Sequence, residues 1–222
     1  MAATADRLSV PPASRATPPM PPPSSVPDPG PDPSRIDQRV RLTGVTWADY
    51  QRLLDLRGER AVPRLTYLAG ELELMSPSFY REESKTRLGR LIEFYSELTG
   101  VPLEGFGSWT LHNEEQERGA EADECYVIGP LTGTPTLPDF AVEVVWTRGG
   151  IDKLEVYRGL GVPEVWVWQE GRLRFFNLGE DGYRAAVRSR FLPGLDPRVM
   201  EECMAAASQN EALAALRARL GT

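Results

Sequence analysis

This 222-residue chain is poor in the residues from which many catalytic and metal centres are built. It has one histidine, His112, and two cysteines, Cys125 and Cys203. A single histidine excludes any mechanism that needs two. It also argues against zinc, which prefers clusters of Cys and His. The cysteines share no short metal-type spacing and no charged-then-apolar leader precedes them, so they read as free thiols in a cytoplasmic protein. No apolar run of about 18 residues occurs, which excludes a transmembrane helix and a membrane role. A Gly-rich phosphate loop and a Ser-centred nucleophile elbow are both missing. Positive charge is short as well. The net charge is −7, and residues 1–40 hold four Asp and four Arg, so the whole excess falls on the rest of the chain. Non-specific nucleic-acid binding draws mainly on Lys and Arg. A nucleic-acid partner therefore requires a local basic patch or bound divalent cations.

What is abundant is proline, and it is localised. Eleven of the twenty prolines fall within residues 1–33, with Ala, Ser and Thr between them. Such a stretch cannot bury a core. Residues 1–39 are expected to form a disordered Pro-rich tail, and residues 40–222 one folded domain.

Along that domain, Thr46-Trp47-Ala48-Asp49 resembles a capping box opening a helix. Leu65–Leu68 and Glu71–Met75 alternate around Ala69-Gly70, the pattern of a β-hairpin in which Glu71 and Glu73 share a face. Residues 81–99 read as a helix with a Leu88, Leu91, Ile92, Tyr95 stripe and Gly100 as its stop. Arg81, Lys85, Arg87 and Arg90 make it the best candidate for a phosphate-facing surface. Strands are expected over Leu103–Leu111 and Glu121–Ile128, the second with Glu121, Asp123 and Cys125 on one face. Thr147–Gly150 reads as a turn, Ile151–Leu160 as a helix, and Glu164–Trp168, Arg172–Leu178 and Tyr183–Arg188 as strands. Two amphipathic helical pieces follow over Asp196–Leu220. A strand, short helix and strand in succession predict a parallel pair, hence an α/β fold with a mixed sheet.

The most informative stretch is Pro138–Trp146. It reads as a buried central strand interrupted by Asp139 and Glu143. A carboxylate there costs several kcal/mol unless it is paired, hydrogen-bonded or bound to metal. A buried salt bridge would explain Glu143; so would a catalytic site at the strand end. Asp123 closes a neighbouring strand, and Lys153 opens the next helix, where a cation opposes the helix dipole. Two carboxylates and a lysine can hold Mg²⁺, a hard ion that takes oxygen ligands and keeps several waters, with the lysine orienting or deprotonating a water.

These segments resemble the Uma-two type of bacterial endonuclease, within the PD-(D/E)XK, restriction-endonuclease-like superfamily. The resemblance is carried by Glu121–Tyr126, Pro138–Val144, Lys153–Tyr157, Gly161–Trp166, Gly70–Leu72 and Met75–Ser78, and it covers about residues 42–220. It implies a restriction-endonuclease-like mixed β-sheet flanked by helices, and Mg²⁺- or Mn²⁺-dependent hydrolysis of nucleic-acid phosphodiester bonds, with DNA the expected substrate and a homodimer compatible with cutting two strands. Carried onto this sequence, it makes Asp123 and Glu143 the metal ligands, Lys153 the lysine at the water, and Glu71 an added catalytic acid; Asp139 falls in a structural position. Three departures stand out: Trp146–Gly149 where the family often has Ser-Pro-Ser, Phe79–Glu82 where many members have a histidine, and Ala122 in place of proline. They keep open an alternative, a nuclease-fold module that binds without turnover. An interaction scaffold in which Glu143 merely pairs with Lys153 is a third reading.

Overall fold

The computed structural model of the protein describes residues 36–146 and 149–221. Nearly all of the Pro-rich stretch, and Thr147 and Arg148 of the turn read after the core strand, lie outside the described residues. Gln38–Thr43 forms β1 and Trp47–Arg57 α1, followed by the hairpin β2 (Arg64–Leu68) and β3 (Glu71–Ser76) and then α2 (Phe79–Thr99). Four short strands come next: β4 (Leu103–Gly105), β5 (Thr110–Asn113), β6 (Arg118–Glu121) and β7 (Glu124–Ile128). The core strand β8 (Phe140–Val145) leads through α3 (Lys153–Leu160) to β9 (Glu164–Gln169). The chain closes with β10 (Arg172–Gly179), β11 (Gly182–Ala186), α4 (Pro197–Met204) and α5 (Gln209–Leu220).

Local chemistry accounts for the element boundaries. Thr46 caps α1 by accepting from Asp49 N at 3.2 Å, as the capping-box pattern predicts. The hairpin turn places Ala69 and Gly70 at φ +44° and +90°, so both central residues are left-handed and the turn matches the twist of its strands. Ser78, Asp152, Asp196 and Ser208 cap the later helices through their side-chain oxygens.

The strands form two sheets. The six-stranded sheet runs β11-β10-β9-β8-β7-β4 and is mixed, with β8 and β9 parallel and the other pairs antiparallel. The five-stranded sheet runs β1-β3-β2-β6-β5 and is antiparallel throughout. The mixed α/β sheet flanked by helices is thus as expected, but the second sheet corrects two strand readings. Leu103–Leu111 divides into β4 and β5, and Glu121–Ile128 into β6 and β7, with one partner of each pair in either sheet. Propensity signals an extended chain; it carries no mark of which sheet the chain joins.

β8 sorts its residues by face. Phe140, Val142 and Val144 enter the main core with Leu88, Leu91 and Ile92 of α2, Trp166 of β9, and Met200 and Leu216 of α4 and α5. Each such side chain contributes about 1.5–3 kcal/mol of burial. Ala141, on the other face, packs with Val156 and Tyr157 of α3 and with Leu111 and Ala120 of the second sheet. Glu143 lies on this second face, where the two sheets and the openings of α2 and α3 converge. Asp139 precedes β8 and accepts from Ile128 N at 2.7 Å, clamping the end of β7 to the start of β8.

Candidate active site

Asp123 stands at the joint where the chain leaves β6 and enters β7. β7 pairs with β8 as far as Glu124 opposite Val142. Beyond that point the Asp123 carboxylate takes the place of a ladder partner: Oδ2 accepts from Val144 N at 2.7 Å. The same oxygen accepts from Arg81 Nη2 at 2.8 Å, and Oδ1 pairs with Arg64 Nη1. Asp123 is fully buried, which only this ring of donors makes tolerable.

Glu143 is 2% exposed. Its Oε1 accepts from Lys153 Nζ at 3.2 Å and from the Tyr157 hydroxyl. Its Oε2 receives Arg81 Nη2 at 3.5 Å. Lys153 opens α3 behind the Asp152 cap and turns back over β8, so its cation works on Glu143 rather than for the helix. Its Nζ also donates to the Glu121 carbonyl at 3.0 Å. Tyr157, one turn further along the same helix face, has its hydroxyl pKa pushed well up, first by burial and then by the Glu143 charge. Burial raises the Cys125 thiol in the same way, and both cysteines are free and buried.

The structure therefore brings Asp123, Glu143 and Lys153 into one cluster. Glu71 is elsewhere: it pairs with Arg41 at the half-exposed end of β3. Its neighbour on the same face, Glu73, reaches the site, accepting from Ile151 N at 3.2 Å with Arg39 Nε at 3.9 Å. A Cβ at Gly150 would come within 2.9 Å of the Glu73 carboxylate, which would have to shift to admit it. Glu121 is paired with Arg57 and accepts from Leu65 N at 3.2 Å, joining β6 to β2. His112 lies apart, edge-on to Trp47.

Several members of the cluster escaped the sequence reading. Arg81 is buried at 3% exposure, bridging Asp37, Asp123 and Glu143, instead of facing a phosphate-binding surface. Arg87 and Arg90 likewise bind Met204 O, Ala206 O and Gln209, fastening α2 to the C-terminal helices. Asp37, from the end of the presumed tail, accepts from Ser78 N at 3.0 Å and holds Arg81 Nη1 at 3.3 Å. The signal for Arg81 was present in the sequence. It is the third residue of α2, behind the Ser78 cap, where an acid is the favoured choice.

A cavity of about 370 Å³ opens on this cluster, with Arg39, Glu73, Arg81, Glu143, Lys153 and Arg174 among its walls. In a chain of charge −7 it collects four of the cations. Tyr80 of α2 stacks on Trp146, which follows β8, their ring centroids 5.9 Å apart. Asp123 Oδ2 and Glu143 Oε2 converge on one position, that of Arg81 Nη2. Among the described residues no group of three or more His, Cys, Asp or Glu surrounds a common point. Two carboxylate oxygens are nevertheless a fitting donor set for Mg²⁺, which is usually held by one or two carboxylates with waters and substrate phosphates completing its shell.

Comparison with known families gives a match. The family model Uma2, described as "Putative restriction endonuclease", matches residues 47–208. No curated protein matches the chain.

Proposed function

The chain belongs to the Uma2 family, and from that premise we propose that it is a divalent-metal-dependent endonuclease acting on DNA in the cytoplasm. The nuclease-like fold comes with the family. The observation that carries the finer reading is the convergence of Asp123 and Glu143 on one cation position, with Lys153 3.2 Å from Glu143. In this reading the two carboxylates hold Mg²⁺ or Mn²⁺, which supplies an acidified water and charge neutralisation at the phosphate. Lys153 has three donors, of which Glu143 and the Glu121 carbonyl take two. The third is left to orient the attacking water or a phosphate oxygen. Tyr157 and Lys153 fix the Glu143 carboxyl by occupying Oε1, so Oε2 remains the ligand atom. Arg39 and Arg174 give the cavity the cations a phosphate backbone needs in an acidic protein.

The test is a cleavage assay on DNA with Mg²⁺ or Mn²⁺, comparing the wild type with Asp123→Asn and Glu143→Gln. Each variant keeps the shape of the acid and removes its charge. Loss of cleavage in both, with the fold intact, supports the assignment; full activity in both overturns it. DNA binding without any metal-dependent cleavage by the wild type would instead select the binding module without turnover. On either reading, no helix among the described residues is long and apolar enough to cross a membrane.

A further inference from the structure

We propose that Arg81 is a resident counter-cation that holds the metal position between Asp123 and Glu143 and leaves it when a divalent ion binds. This inference rests on the nuclease reading above.

Two buried carboxylates cannot face one point unaided, because each raises the cost of ionising the other. Here Arg81 Nη2 takes up that charge, 2.8 Å from Asp123 Oδ2 and 3.5 Å from Glu143 Oε2. The acids around it are already paired: Asp37, Glu73, Glu121, Asp123 and Glu143 are met by Arg39, Arg57, Arg64, Arg81 and Lys153, and Glu82, which also takes Arg64, is met by Lys85. A divalent ion added to this set would bring two uncompensated charges and touch the guanidinium directly. Repulsion at such a distance in a buried site is large, so ion and guanidinium exclude one another.

The guanidinium has somewhere to go. Its Nη1, a different nitrogen from the one that meets Glu143, is already held by Asp37 Oδ2 at 3.3 Å. Its Nε is buried with no hydrogen-bond partner among the described residues. A buried donor left unmet costs about 1–3 kcal/mol, so an acceptor that reached Nε would stabilise the side chain. A phosphate oxygen entering the cavity would offer the missing acceptor. Arg81 then moves from the acids to the substrate as the metal takes its place. Metal loading and phosphate binding become mutually favourable, as linkage requires of any such pair. With phosphate absent, metal affinity is held down by the work of displacing Arg81.

Mn²⁺ titrated into the wild type, Arg81→Met and Arg81→Lys, followed by calorimetry and by the metal-induced rise in Tm, tests this. The expected order of affinity is Met above Lys above wild type, with Met at least about tenfold tighter than wild type, a difference of about 1.4 kcal/mol. Lysine keeps the charge and the fold but lacks the planar fork that spans two carboxylates, so it serves if the Met variant does not fold. Added guanidinium ion, below denaturing concentrations, should weaken Mn²⁺ binding to Arg81→Met and leave the wild type unchanged; a purely structural arginine would give no such effect. Equal or weaker binding in both variants overturns the inference and leaves the nuclease reading standing. Absence of Mn²⁺ binding in all three proteins overturns both.

Discussion

Glu143 and Glu164 lie on neighbouring parallel strands of one sheet, 2% and 0% exposed, yet they are held in opposite ways. Glu164 is met entirely by neutral donors. Trp166 Nε1 and Ser189 Oγ bind its Oε1, and Arg190 N reaches Oε2 at 2.6 Å. Every donor is close, and the carboxylate ties β9 to the segment after β11. Glu143 has two ionised partners, Lys153 and Arg81, beside the Tyr157 hydroxyl, and among the described residues its Oε2 has only the guanidinium at 3.5 Å, with a cavity beyond. Burial of an acid is therefore no sign of function by itself. What separates the two is an oxygen left available to something that arrives from outside.

That contrast can be broken by substitution, beginning with the largest effect. Glu143→Gln should lower metal-dependent cleavage by about 1,000-fold, near 4 kcal/mol of transition-state stabilisation, and also lower Tm, because Lys153 and Arg81 lose a charge partner. Glu164→Ala should act on stability alone. It strands three donors and should cost about 3 kcal/mol of stability in urea unfolding, with Mn²⁺ affinity unchanged. Should Glu164→Ala abolish metal binding, the separation of roles fails. Lys153→Met should reduce cleavage by about 100-fold and leave Mn²⁺ binding in place, because Lys153 touches the Glu143 oxygen turned away from the metal position. Tyr157→Phe removes one hydroxyl donor to Glu143 and should cost about 1 kcal/mol of stability.

A smaller, pH-dependent effect belongs to Glu124, just outside the cluster. Burial raises its carboxyl pKa, with Lys85 offsetting part of the shift. A carboxyl whose folded pKa lies above its unfolded value makes the fold less stable as pH rises through that interval, because the folded state retains the proton longer. Glu124→Gln should therefore match wild-type stability in acid and exceed it at neutral pH, by under about 1 kcal/mol. Parallel stability curves at both pH values would contradict this.

The parts of the site legible in the sequence are those where a residue violates a local preference. Glu143 interrupts an apolar strand, and Lys153 opens a helix against its dipole; both prove to be in the cluster. Arg81 violates the same dipole rule, but its place among several basic residues of one helix hid it. Glu164 could not be recognised as buried, since it opens β9, and an acid at a strand end ordinarily reaches solvent. β1 has a polar, mostly exposed edge-strand pattern with too little apolar alternation to register. Asp37 gains its role only from α2, forty-odd residues further along the chain. The division of residues 103–128 between two sheets is likewise a matter of long-range pairing that no local pattern encodes.

The most direct test of the central claim is Mn²⁺ binding to the wild type, Glu143→Gln and Glu164→Gln, read from the free-ion electron paramagnetic resonance signal at rising metal concentration. The account predicts binding by the wild type and Glu164→Gln and its loss in Glu143→Gln. Equal binding by all three would place any metal away from Glu143 and leave that residue a structural acid like Glu164.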